Sequence, residues 1–155
     1  MSRRYAEGTT TTVNTTRNEI EVLVKKFGAH QILAYEDRDR AIVQFTARDR
    51  MIRLTLAIPS DDSLSKTETG RRRSVGSLAE ARDKEMRRLW RALVLLVRAK
   101  ITAVNENIVT FEEESLANVV MADGRTVAEH PKEPIRLSYA SGSTQTLLPD
   151  FSKGV

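Results

Sequence analysis

The sequence contains no cysteine and only two histidines, His30 and His130, among its 155 residues. Without cysteine the chain forms no disulfide and offers neither a thiolate ligand nor a thiol nucleophile. Neither histidine has a partner at a recognisable spacing, so the sequence predicts no histidine-rich metal cage and no Ser-His-Asp triad. The seven glycines form no glycine-rich phosphate loop. We therefore expect no enzymatic activity, no metal ion and no cofactor.

Long apolar runs are also missing, since no stretch approaches the roughly 18 apolar residues that cross a bilayer. The basic start, with Arg3 and Arg4, is followed by threonines instead of the apolar centre of a signal peptide. These absences predict a cytoplasmic protein with no membrane partner. Aromatic residues make up only 5% of the chain, which leaves little material for a site that stacks nucleobases.

The length, with 40% hydrophobic residues, predicts one globular domain with polar ends. Residues 1–13 carry a run of four threonines without helical or strand periodicity, which indicates a flexible N-terminal arm. We expect residues 14–149 to form the domain, with a long basic loop at residues 59–77. Residues 150–155 are expected to form a flexible tail.

Hydrophobic periodicity predicts one helix followed by three strands. A cap at Asn14, Thr15 or Thr16 begins the helix, and Gly28 ends it. The clearest strand alternates large apolar residues with polar or small ones, which gives it one face for a core. Short polar connections between the strands favour an antiparallel meander. The predicted strands are residues 31–35, 40–47 and 51–58.

A long helix from about Leu78 to Asn105 follows, because apolar residues recur there at spacings of three and four. Thr110 begins a capping box, which predicts a second short helix to about Met121. At most one further helical stretch is expected, around residues 135–139. The fold class is therefore α+β: a three-stranded antiparallel meander packed against one long helix, with additional short helices in the order α-β-β-β-α-α. The expected core consists of Ile20, Leu23, Val24, Phe27, Leu33, Val43, Phe45, Leu54, Leu56, Leu89, Trp90, Leu93, Val97, Ile101 and Val104.

The chain is electrically polarised although its net charge is only +4. Residues 71–100 hold ten basic and three acidic residues, a local charge of +7. Residues 105–135 hold seven acidic and two basic residues, a local charge of −5. These opposite charges suit head-to-tail contact between copies, so we expect a homo-oligomer, with docking inside one chain as the alternative.

The basic stretch provides the best candidate site, a surface for the phosphate backbone of nucleic acid. Three adjacent guanidinium groups before the long helix favour this interpretation, because each suits bidentate contact with phosphate. The alternative is an ordinary solvated helix face, with pairs such as Glu80 with Lys84 and Asp83 with Arg87. The candidate nucleic-acid-binding residues are Arg71, Arg72, Arg73, Lys84, Arg87, Arg88, Arg91, Arg98 and, on the third strand, Arg53.

Other polar and aromatic residues have simpler explanations. The acidic run at residues 112–114 is explained by helix capping and the helix dipole rather than by a metal site. Trp90 is interpreted as a core residue, and Tyr35 is the strand aromatic best placed to face a ligand. The sequence thus yields no catalytic constellation.

The chain contains the motifs YAEGT at residues 5–9, WRAL at 90–93, TFEEE at 110–114 and DGRTV at 123–127. Together these motifs resemble a family of small uncharacterised bacteriophage and prophage proteins. The resemblance extends nearly from end to end and implies a phage-encoded protein made inside a bacterial host cell. The element order also resembles that of double-stranded-RNA-binding domains, and the meander with a long helix resembles the core of phage single-strand annealing proteins.

From the residues and the resemblance together we expect a phage-encoded accessory protein that binds nucleic acid without sequence preference. DNA is favoured over RNA as the partner, in a single-strand-binding or annealing role. The alternative is a phage interaction protein that binds and modulates a host protein, or a small virion component. A flexible arm and an acidic segment favour that alternative, because both suit a protein partner.

Overall fold

The computed structural model describes residues 4–143, which fold into an antiparallel sheet, one long helix and several short helices. This architecture confirms the expected α+β class. In chain order the elements are α1 (Val13–Lys26), β1 (His30–Glu36), β2 (Arg40–Ala47), β3 (Arg50–Ala57), α2 (Asp61–Leu64), α3 (Val75–Asn105), α4 (Phe111–Ser115), the 3-10 turns Leu116–Asn118 and Val127–Glu129, and α5 (Glu133–Ser141).

The three strands form the predicted meander, in the order β1-β2-β3 with both pairs antiparallel. Arg48 and Asp49 connect β2 to β3 and both adopt positive φ angles, 47° and 60°. This left-handed geometry in a two-residue loop matches the twist of a hairpin. At the β1–β2 turn, the Asp37 carboxylate accepts hydrogen bonds from the N–H groups of Asp39 and Arg40, each 2.9 Å long.

The core lies between one face of the sheet and the pair of helices α1 and α3. Trp90 of α3 is fully buried, and its indole N–H donates to the Glu36 carboxylate over 3.1 Å. The guanidinium of Arg17 lies 4.9 Å from the ring centroid of the same indole and pairs with Glu36 at 2.6 Å. Trp90 is therefore a core residue, as predicted, and a polar network closes the edge of the core around it.

Most of the expected core is confirmed. Leu33 is an exception, since half of its surface is exposed. Its neighbour Ala34 pairs with the buried Val43, so Leu33 points to the opposite face of an edge strand. Leu89 is only half-buried. The expected residues that are buried are Ile20, Val24, Val43, Phe45, Leu54, Trp90, Leu93, Val97 and Val104, while Leu23, Phe27, Leu56 and Ile101 pack partly buried against them.

The helix after Thr110 is shorter than predicted. It ends at Ser115 and continues only as a 3-10 turn, instead of extending to Met121. The reason is that the chain then pairs with the free edge of β3, where the Val120 N–H donates to the Met51 carbonyl over 2.9 Å. Backbone pairing at a sheet edge thus ends a helix that local sequence would allow to continue.

Other boundaries differ by a few residues. Helix α1 begins after Thr12, whose hydroxyl accepts the Thr15 N–H, rather than after residues 14–16. Helix α3 begins at Val75 because Ser74 caps it, three residues before the predicted start. The predicted loop contains α2 and a short bridge, so part of it has regular structure. Helix α5 extends the predicted stretch at both ends.

The first described residues contact the domain. Arg4 forms two hydrogen bonds of 3.1 Å to the Glu85 carboxylate of α3. The flexibility of residues 1–13 stays a prediction, and the predicted tail at 150–155 lies outside the described residues. Within residues 4–143, no helix combines the length and the apolar character that crossing a membrane requires.

Candidate nucleic-acid interface

A short ordered loop at residues 65–73, here called the arginine loop, carries the basic triplet. Its backbone closes on itself, because the Thr67 N–H donates to the Arg71 carbonyl over 2.8 Å and Gly70 donates to Thr67 over 2.9 Å. The two ends of the loop are also joined, because the Arg73 N–H donates to the Ser65 carbonyl over 2.8 Å. These contacts hold the loop in one conformation between α2 and α3.

The members of the triplet differ in their surroundings. Arg73 is half-buried, and its Nε donates to the Leu64 carbonyl over 3.0 Å, so it is partly used to hold the loop. Arg71 and Arg72 are exposed, and neither side chain forms an ion pair within the described residues. Two guanidinium groups therefore project into solvent from a fixed backbone.

Lys66 joins these two arginines at the candidate site. It pairs with Arg72 across an isolated antiparallel bridge, so the two cationic side chains are cross-strand neighbours. Like charges in this position are destabilising, and a bound anion offsets the repulsion. Glu68 at the tip is the loop's one acidic residue, and it is exposed. The sequence analysis missed Lys66, although Thr67 and Gly70 are typical turn residues that indicate such a pairing.

Two of the predicted binding residues on α3 instead connect that helix to α1. Arg91 and Arg98 both donate hydrogen bonds to the carboxylate of Glu19. The hydrogen bond from Arg91, aided by that from Arg98, holds the pKa of Glu19 below its ordinary value. Because one carboxylate lies between two guanidinium groups, this part of α3 carries less accessible positive charge than the sequence indicates.

Arg88 and Arg87 also have acidic partners within α3. Arg88 donates two hydrogen bonds to Glu85, at 2.7 and 3.1 Å, and only 15% of its side chain is exposed. The hydrogen bond from Arg88 lowers the pKa of Glu85, and the same bond raises that of Arg88. Arg87 forms the expected pair with Asp83 at 3.1 Å. Both arginines thus hold partners that a phosphate has to displace.

The remaining two predicted binding residues, Arg53 on β3 and Lys84 on α3, take no part in these ion pairs. Arg53 donates from Nε to the Gln44 side chain over 3.0 Å and from Nη1 to the Gly124 carbonyl over 2.8 Å. It therefore connects the sheet to the chain segment beyond α4. Lys84 is exposed, and the expected pair with Glu80 is not formed within the described part of the chain. Lys84 thus remains available on α3.

The acidic run has the structural role that its sequence predicts. Glu113 accepts the Thr110 N–H over 2.7 Å, and the Thr110 hydroxyl accepts the Glu113 N–H over 3.2 Å, which completes the capping box. Glu114 pairs with Lys100 of α3 at 2.9 Å. No cluster of three or more metal-ligating side chains occurs between residues 4 and 143.

Tyr35 is partly exposed on the edge strand β1, on the sheet face opposite the helices. That Tyr35 faces a ligand stays a prediction. The structure pairs Arg72 with Lys66 and places Arg71 next to Arg72 in the same loop, whereas Arg53 and the arginines of α3 are held by partners elsewhere in the fold.

Comparison with known proteins finds no matching family model, no similar curated protein and no similar solved structure. The resemblance to small bacteriophage and prophage proteins therefore stays a prediction from the quoted motifs.

Proposed function

We propose that this protein binds the phosphate backbone of nucleic acid through the arginine loop, without sequence preference, and that single-stranded DNA is its partner. The observation that carries the proposal is the pairing of Lys66 with Arg72, two cross-strand cations that have no acidic partner within residues 4–143. An anion placed between them offsets their repulsion and gains charge-assisted hydrogen bonds.

The chemistry of the loop supports binding that tolerates any sequence. Ammonium and guanidinium groups recognise phosphate oxygens, which are the same at every nucleotide. The loop is already ordered by its own hydrogen bonds, so binding requires little additional ordering of the backbone. Lys84 adds a further cation about 14 Å along the axis of α3 from Val75, within reach of an extended strand.

Salt dependence of binding measures how many cations meet phosphates. For single-stranded DNA, log affinity falls with log salt by about 0.7 for each contact, so Lys66, Arg71 and Arg72 together predict a slope of about −2. Titration of fluorescent single-stranded DNA at several salt concentrations measures this slope. Parallel titrations of duplex DNA and of RNA identify the preferred partner.

The double variant R71A/R72A retains one of the three cations and should have a slope of about −0.7. The matched control is K26A, which removes an exposed lysine at the end of α1 and should leave the slope unchanged. Absence of binding to any of the three nucleic acids at low salt would contradict the proposal and favour the host-protein alternative. The same proposal places the protein in the cytoplasm of a bacterial host and gives it a phage origin, and the phage origin is supported by the resemblance alone.

A further inference from the structure

The backbone of the arginine loop brings two cationic side chains to one face of a short ladder. Lys66 and Arg72 are antiparallel bridge partners. The two 2.8 Å backbone hydrogen bonds of the ladder join the neighbours of this pair, Thr67 with Arg71 and Ser65 with Arg73. Lys66 and Arg72 therefore form a non-hydrogen-bonded pair, with about 4.5 Å between their Cα atoms, the geometry in which cross-strand side chains approach most closely.

The positive charge of this pair is not compensated within the described part of the chain. Both side chains are exposed, and neither forms an ion pair with a described residue. Glu68, at the tip of the loop, likewise forms no ion pair with a described residue. Residues 65–73 contain four basic residues and one acidic residue, a net charge of +3. A ligand with two negative charges thus matches the pair better than a ligand with one.

A nucleic-acid strand offers phosphate in two charge states. Each internal phosphodiester carries one negative charge. A phosphomonoester at the end of a strand carries about −1.5 to −2 at pH 7 and has three strong acceptor oxygens. Two cations on neighbouring strands can both reach one such group, because their Cβ atoms are only about 5 Å apart. The terminal phosphate is therefore the ligand whose charge equals that of the pair.

We propose that Lys66 and Arg72 bind the terminal phosphomonoester of a single-stranded DNA, so that the arginine loop prefers phosphorylated strand ends. This inference rests on the proposed function, since it specifies which phosphate of the strand the loop selects. The planar guanidinium of Arg72 donates two parallel hydrogen bonds to two phosphate oxygens, and the ammonium of Lys66 donates to the third. No base is contacted, so the preference holds for ends of any sequence.

Arg71 has a different role although it is exposed and adjacent to Arg72. Successive side chains of an extended ladder point to opposite faces, so Arg71 projects away from the face that Lys66 and Arg72 share. Arg71 is therefore suited to an internal phosphodiester rather than to the terminal phosphate. This difference makes it a matched control for Arg72.

Titration of a short thymidine oligomer with a phosphate at one end tests the preference. The dye is attached to the other end, and the same oligomer with a terminal hydroxyl is the comparison. At low salt and about pH 8, the terminal phosphate is dianionic because its second pKa is about 6. Wild-type protein should bind the phosphorylated oligomer about fivefold more tightly, the effect of one additional exposed charge-assisted contact. A preference for either the 5′-phosphate or the 3′-phosphate supports the proposal.

Two variants test whether Lys66 and Arg72 are responsible. R72A should bind the phosphorylated and the hydroxyl oligomer equally, whereas R71A should bind both more weakly and keep the wild-type ratio between them. An R72A protein that keeps the ratio, or an R71A protein that loses it, would overturn the assignment to this pair.

The wild-type titration also separates this inference from the proposed function. Equal affinity for the two oligomers would overturn the preference for strand ends and leave the proposed function standing. Absence of binding to either oligomer would overturn both.

Discussion

The arginines of α3 and the cations of the arginine loop are adjacent in sequence but differ in what surrounds them. Arg91 and Arg98 share Glu19, and Arg88 holds Glu85. Arg71 and Arg72 have no acidic partner in the described part of the chain. A local charge of +7 counted along residues 71–100 therefore does not measure the charge available to a ligand. Between residues 65 and 100, the cations that are exposed without an acidic partner among the described residues are Lys66, Arg71 and Arg72 of the loop and Lys84 of the helix, whereas most of the helix charge stabilises contacts within the fold.

The largest expected effect comes from a change on the buried side of α3. L93D places a carboxylate in the core, where an unpaired charge costs several kcal/mol against a typical total stability of about 5–15 kcal/mol. We expect the variant to be unfolded by circular dichroism. The matched variant L95D, two positions along on the exposed side, should fold normally. A folded L93D protein would contradict the assignment of this helix to the core.

Removal of Glu19 tests the helix side of the comparison. E19A leaves Arg91 and Arg98 facing each other without the carboxylate, and we expect a loss of about 1 kcal/mol in the free energy of unfolding, since partly exposed ion pairs contribute modestly. Denaturant unfolding measures the loss. The control E68A removes the exposed glutamate of the arginine loop and should change stability by less than about 0.5 kcal/mol.

The pH dependence of stability tests the same ion pairs of Glu19. The pKa of Glu19 is lower in the folded protein than in the unfolded chain, chiefly because Arg91 donates a hydrogen bond to it. Its contribution to stability is therefore fully present above the unfolded pKa, about 4.3, and is lost as the pH falls through the folded pKa. E19Q should reduce this loss between about pH 5 and pH 3 in denaturant unfolding. An identical pH profile for wild type and E19Q would show that the ion pairs do not stabilise the fold.

The smallest expected effect is on the loop side of the comparison. R71A/R72A should change the free energy of unfolding by less than about 0.5 kcal/mol, because both side chains are exposed and form no ion pair with any described residue. A slight gain is consistent with relief of the repulsion between Lys66 and Arg72. Thermal unfolding followed by circular dichroism measures the change, and a large destabilisation would show that the arginines have a structural role.

The elements with strong periodicity could be predicted from the sequence. The alternation around Ile52 and Leu54 and the apolar repeat around Trp90 are local patterns, and the structure confirms both. Leu33 was misplaced because the short apolar run of β1 does not show which of its two faces packs against the helices. Likewise, the end of α4 depends on backbone pairing with β3, which is distant in sequence.

The candidate site was predictable only in part. The sequence shows three adjacent arginines, and in the structure two of them, Arg71 and Arg72, are exposed. The partner of Arg91 is Glu19, 72 positions earlier in the chain, so the pairing depends on how α1 packs against α3. The bridge between Lys66 and Arg72 likewise depends on the geometry of the turn between them, which turn residues such as Thr67 and Gly70 do not define by themselves.

The most direct test of the central claim compares two variants that each remove two positive charges, R71A/R72A from the arginine loop and R87A/R98A from α3. Titration of both with the same fluorescent single-stranded DNA at low salt measures their affinities. We predict that the affinity of the loop variant falls about tenfold or more, because two phosphate contacts are removed. The helix variant should keep near wild-type affinity. Equal losses, or a greater loss for the helix variant, would contradict the claim that the arginine loop carries the binding surface.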